Sequence, residues 1–215
     1  VNTPLLHAAA ELGRPMLVST GTCDLDELDV AADVVRHTGG VLLHCVSAYP
    51  TPDPDAALAG IAVLDQYFAL DGAVGDSDHT GSLDTGALAF TAGAGVLEKH
   101  LTHDRAAPGP DHAASLEPAD FATYVAGVRR ASSMVGPRRK TCSAVERDVQ
   151  KVSRQSVCVV RDLNVGHVLT RDDLTVKRPG TGIPARYLND VIGRRLVRPV
   201  KADHPLREDD LADRG

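Results

Sequence analysis

Over the first two thirds of the chain, short apolar runs alternate with stretches whose apolar residues recur at helical spacing. Residues 15–19, 41–46, 72–75 and 96–99 read as strands; residues 3–12, 24–37, 55–68, 83–92 and 118–135 read as helices. In the first helix Thr3 is the expected N-cap, Pro4 suits the first turn and Gly13 ends the run. Leu25, Leu28, Ala32 and Val35 share one face of the second, and Phe121, Val125, Val128 and Val135 are expected to face inward from the last. The proline-rich stretch Tyr49-Pro50-Thr51-Pro52-Asp53-Pro54 excludes both helix and ladder.

Strands alternating with helices at this spacing imply a parallel α/β sheet. Apolar strands with polar carboxyl ends favour a barrel or a doubly wound sheet, and four units are only half of a (β/α)8 TIM barrel. A half barrel has two open edges, so complementary strands are expected from a preceding segment, a separate polypeptide or a second copy. Residues 136–150 are polar and charged and read as a linker. Beyond them, apolar runs at 157–160, 174–176, 191–193 and 196–197 predict a mostly-β module of about 60 residues. A weak internal echo runs through it: Gly166-His167-Val168-Leu169 precedes Arg171-Asp172-Asp173-Leu174 as Asp203-His204-Pro205-Leu206 precedes Glu208-Asp209-Asp210-Leu211. The expected division is residues 1–135 for the half barrel, 136–152 for the linker and 153–215 for the small module.

Composition narrows the classes. The 215 residues are 43% hydrophobic with no Trp and three Phe, so the core must be aliphatic. A net charge of -6 argues against nucleic acid or an anionic membrane as the main partner. No apolar run approaches the ~20 residues of a membrane span, and the first residues lack a secretory pattern. Cys23, Cys45, Cys142 and Cys158 have no metal-like spacing and read as reduced thiols of a cytoplasmic protein.

The chemistry concentrates in Gly75-Asp76-Ser77-Asp78-His79-Thr80-Gly81 and Leu97-Glu98-Lys99-His100. Each closes an apolar run, one strand-helix unit apart. If the runs are neighbouring parallel strands, both imidazoles emerge at one carboxyl-terminal rim, each beside a carboxylate (Asp78, Glu98), where they can bind a divalent metal.

These stretches, with Ser19-Thr20-Gly21, the run from His44 to Pro52, Pro108-Gly109-Pro110-Asp111-His112 and Ser115-Leu116-Glu117-Pro118, resemble the sialic acid synthases. Arg161 to Leu174 and Lys177-Arg178-Pro179-Gly180-Thr181-Gly182 resemble the antifreeze-like (SAF, β-clip) domain that ends those enzymes. The resemblance covers essentially the whole chain. It implies condensation of phosphoenolpyruvate with N-acetylmannosamine or a related N-acyl amino sugar, releasing phosphate. It implies that His79 and His100 hold Mn2+ or Mg2+ and that Glu98 works beside them. Ser19, Ser47 and Ser77 fall in the substrate-binding set, with Ser19 and Ser77 on the phosphate; Tyr49 and Asp111, with Glu98, contact the sugar. Arg178 reaches its acyl group from the SAF domain of a neighbouring subunit in a homodimer.

The departures are specific. The family's first four strands, with their phosphoenolpyruvate-gripping lysines, have no counterpart here. Thr22-Cys23 replaces Met-Ala, Ser47 stands where some members have Asn, Asp76 replaces an apolar residue and Ala113 a Lys. Three versions follow: one partner of a split synthase, a non-catalytic sugar- or protein-binding module derived from it, or a truncated remnant.

Overall fold

The computed structural model describes residues 2–137 and 139–212, which fall into two compact units, Val1–Arg138 and Arg139–Gly215. In the first, the elements run α1 (Thr3–Ala10), β1 (Leu17–Ser19), α2 (Asp29–Thr38), β2 (Val41–Cys45), α3 (Gly60–Phe68), β3 (Val74–Asp78), α4 (Thr85–Ala92), β4 (Val96–Lys99) and α5 (Pro118–Val135). The strands form one parallel sheet in the order β1-β2-β3-β4, half of a (β/α)8 barrel.

Register assigns the two faces. Leu42 pairs with Val74, His44 with Asp76, Asp76 with Leu97 and Asp78 with Lys99. Strand side chains alternate, so this row points one way and Cys45, Ser77 and Glu98 point the other. The first row faces the helices: Leu42 and Val74 join Leu28, Ala32, Val35, Ile61, Leu64 and Phe68 in one aliphatic core. The second row faces what would be the barrel interior. Leu17, on that row in β1, is 58% exposed, as half a barrel requires. Gly75 lets β3 and β4 approach; a Cβ there would lie 2.4 Å from the Val96 carbonyl oxygen.

Several boundaries differ from the sequence reading. Asn2, not Thr3, caps α1, its Oδ1 accepting from Leu5 N at 3.2 Å. α3 starts at Gly60, because Ala57 takes φ +46° and breaks the helical run after a 3-10 turn at Asp53–Asp55. β3 does not end at Gly75. It runs on through Asp76, Ser77 and Asp78, all buried. In α5 Tyr124 is the buried anchor, Phe121, Val125 and Val128 line an open groove of about 500 Å³ against Phe90 and Leu97, and Val135 is 49% exposed.

In the second unit α6 (Arg147–Ser153), within the stretch read as linker, precedes an antiparallel pair, β5 (Ser156–Val159) with β6 (Leu174–Lys177). Val157, Val159, Leu163, Leu169, Leu174, Leu196 and Leu206 form its core. Val191, expected in a strand, closes the short helix α7 (Leu188–Val191), and Leu196 makes only an isolated bridge to Leu211. The echo becomes geometry. Buried Asp173 accepts from His167, Thr170 and Arg161; buried Asp210 accepts from His204, the Arg207 amide and Arg198, at the same spacing. Within the described residues no helix is long and apolar enough to cross a membrane.

Candidate metal centre at the strand ends

His79 and His100 each follow the last residue of a strand, β3 and β4. Continuing the Ser77–Glu98 pairing by two residues sets the two imidazoles side by side on the interior face. Their ring centroids are 5.1 Å apart. One donor atom each from His79, Glu98 and His100 lie within 4.8 Å of one another. Ligands held on one ion at ~2.1 Å each lie at most ~4.2 Å apart, so a small side-chain adjustment brings the three donors onto one ion.

The local hydrogen bonds prepare these donors. His79 Nδ1 lies 2.9 Å from the Val46 carbonyl oxygen, which can only accept, so the ring's proton is there and Nε2 keeps its lone pair. Ser77 Oγ donates to Glu98 Oε2 at 2.8 Å, fixing the carboxylate. Tyr49 forms a wall, its ring centroid 4.2 Å from His79 and 5.7 Å from His100. The Tyr49 phenol is raised from its ordinary value by burial first, then by Cys45, Asp111 and Glu98. Two imidazoles and an oriented carboxylate are a donor set that fits a divalent ion.

Asp111 and His100 line one cavity of about 310 Å³ with Leu101, Pro110, His112 and Ser115. Ser19 is exposed at the end of β1, and Ser47 lies against Gly21 in the loop after β2, where a Cβ on that glycine would meet its Oγ at 2.2 Å. Arg178 belongs to the second unit, where it lines a cavity of about 550 Å³ with Arg154 and Arg186.

One expectation changes. Asp78, read as a carboxylate beside His79, turns to the helix side and pairs with Lys99 at 3.2 Å. Ser77, expected on the substrate phosphate, donates to Glu98 in this structure. Sequence reasoning missed Cys45, whose Sγ lies 3.8 Å from His79 Nδ1 and whose thiol burial pushes up against the opposing effect of hydrogen bonds with Ser77 and Ser47. It also missed Lys99, though strict alternation from Glu98 would have put it on the opposite face with Asp78.

The NeuB family model matches residues 1–140 and the SAF domain model residues 154–212. The chain is 39% identical to the N,N'-diacetyllegionaminic acid synthase of Legionella pneumophila over 95% of its length and 59% of that protein. It is 31% identical to the human N-acetylneuraminate-9-phosphate synthase over 100% of its length and 60% of that protein. The structure of spore coat polysaccharide biosynthesis protein E from Chromobacterium violaceum superposes with a TM-score of 0.82 at 28% identity, covering 98% of this chain and 64% of that one. The chain thus spans about three fifths of the length of such relatives. With four parallel strands ending in paired histidines and both family models matched in order, the chain belongs to the NeuB family.

Proposed function

We propose that this chain supplies the metal-holding half of a synthase that condenses phosphoenolpyruvate with N-acetylmannosamine or a related N-acyl amino sugar. Strands pairing with β1 and β4, from an amino-terminal half barrel, complete the site. The observation that carries this reading is the convergence of His79, Glu98 and His100 within 4.8 Å at the carboxyl-terminal rim. The printed names of the relatives, synthases of legionaminic acid and of N-acetylneuraminate 9-phosphate, support the substrate class.

In this reading His79 and His100 hold a divalent ion, and nitrogen donors favour Mn2+ over Mg2+. The ion, when bound, polarises the aldehyde oxygen of the open-chain sugar. Glu98, held by Ser77, orients that end of the sugar. Tyr49 shields the rim, and Asp111 accepts from sugar hydroxyls. Ser19 donates to the phosphoenolpyruvate phosphate, as does Ser77 when substrate is bound, Ser47 belongs to the same substrate-binding set, and Arg178 binds the acyl group, from the SAF domain of the second subunit of a homodimer. C3 of phosphoenolpyruvate attacks the aldehyde carbon. Water adds at C2, and phosphate leaves with cleavage of the C–O bond, so the products are a 2-keto sugar acid and inorganic phosphate. Domain limits of 1–135 and 153–215 about a linker at 136–152 go with this reading, as does a cytoplasmic setting, in keeping with four unbridged cysteines.

The test mixes the chain with an amino-terminal half-barrel polypeptide of a relative, phosphoenolpyruvate, N-acetylmannosamine or a diacetamido sugar, and Mn2+, and measures phosphate release. Turnover by the mixture that is lost in His79→Ala and in His100→Ala is expected. Full metal-dependent turnover in both variants refutes the ligand assignment. Binding of the sugar without turnover in any mixture points to a non-catalytic module instead.

A further inference from the structure

The two strands that present the centre carry a second set of polar residues on their opposite face. Asp78 and Lys99 are register partners, each one position before a histidine. Lys99 Nζ lies 3.2 Å from Asp78 Oδ2, with side chains 2% and 0% exposed, and also donates to the Thr80 carbonyl. Asp78 Oδ1 accepts from the amide and the hydroxyl of Thr80, both at 2.8 Å. Thr80 Oγ1 then meets Thr85 Oγ1, in the first turn of α4, at 2.7 Å. The ring of Tyr124, from α5, lies over the ammonium at 5.8 Å. That ring has its seat because residue 86 is glycine; a Cβ there would lie 2.4 Å from the Tyr124 hydroxyl.

The residues on both sides of His79 are therefore held from behind, and the residue that holds them sits between Glu98 and His100. Stability alone is a poor reason for such a pair, since well-packed apolar residues usually replace a buried ion pair at no loss. What an apolar pair lacks is direction: it would fix neither the turn at 78–80 nor the axial register of β3 on β4.

We infer that Asp78 and Lys99 are positioning residues that hold the His79 and His100 rings at the separation a divalent ion needs. The inference rests on the reading of His79, Glu98 and His100 as a metal centre.

The experiment titrates Mn2+ into the full chain by calorimetry and records metal-free melting in parallel. The proteins are wild type, Lys99→Met, Asp78→Asn, the double variant Asp78→Asn/Lys99→Met, and Thr80→Val. Each single charge variant should melt lower and bind Mn2+ at least ~10-fold more weakly, the usual scale for a group that orients a ligand. The double variant removes both members of the ion pair and should recover its melting temperature, yet stay at least ~10-fold weaker for Mn2+. Thr80→Val, which strands no charge, should weaken Mn2+ binding several-fold and decides the matter if the double variant does not fold. Affinity that returns with stability in the double variant, or wild-type affinity in Thr80→Val, overturns the inference. Failure of the wild-type chain to bind Mn2+ overturns instead the metal reading beneath it.

Discussion

Asp76 offers a direct check on how the helix-facing side of β3 is built. Its carboxylate is 2% exposed and one of its oxygens, Oδ2, has no hydrogen-bond partner. The residue lines a tight cavity with His44, Thr51, Thr80 and Thr85. Burial, and then the charge of Asp78, push its pKa from 3.8 up to about 7; Lys99 pulls the other way and Glu98 adds to the rise. The folded state therefore keeps a proton that the unfolded chain has already released. The shift is about three units at 1.36 kcal/mol each, so ionised Asp76 costs the fold about 4 kcal/mol. Because the folded pKa is the higher one, this cost is absent below about pH 4, grows as pH rises, and is complete above about pH 7. Asp76→Asn keeps the volume and removes the titration. Urea unfolding of both proteins at pH 5, 6, 7 and 8 should show wild type losing about 1.4 kcal/mol per pH unit relative to the variant up to about pH 7, then levelling. The slope is the readout, since any cost of the amide itself does not vary with pH. Parallel curves from pH 5 to 8 would refute the argument and mean that Asp76 finds a partner the geometry does not provide.

Two further outcomes are expected. Gly75→Ala would bring a Cβ within 2.4 Å of the Val96 carbonyl oxygen and 2.5 Å of Leu43 Cδ2, forcing β3 from β4; a loss of about 2–3 kcal/mol in urea unfolding is expected, and an unchanged midpoint would contradict the close approach. Asp173 is buried, which by itself raises its pKa, but hydrogen bonds from His167, Thr170 and Arg161 outweigh burial and hold it well below the carboxylate range. A depressed carboxylate contributes stability above about pH 4 that is lost as pH falls, so Asp173→Asn should cost about 2–3 kcal/mol at pH 7 and progressively less below pH 4. Equal losses at pH 7 and pH 3 in thermal melts would rule that out.

The alternation of short apolar runs with helical stretches by itself determined a parallel α/β sheet, because buried parallel strands and their covering helices leave characteristic periodicities; a barrel and a doubly wound sheet share that pattern, and the family resemblance chose the half barrel. It also determined that His79 and His100 share a rim, since one strand-helix unit separates them. Local signals were weaker where polar residues continue a strand. Gly75-Asp76-Ser77-Asp78 reads as a strand end, yet it pairs along its length with β2 and β4. Only the tertiary structure gives those side chains partners: Ser77 with Glu98 on one face, Asp78 with Lys99 on the other. The role of Asp78 was hidden for the same reason, because sequence adjacency to His79 says nothing about which face a residue takes until the register is set. In the second unit the repeat of His167 and Asp173 as His204 and Asp210 was visible as a pattern, but its meaning as two buried carboxylates with matched donors was not. Periodicity fixes which residues lie on one face of an element; what each of them touches depends on the neighbouring element, and that is decided only when distant segments pack.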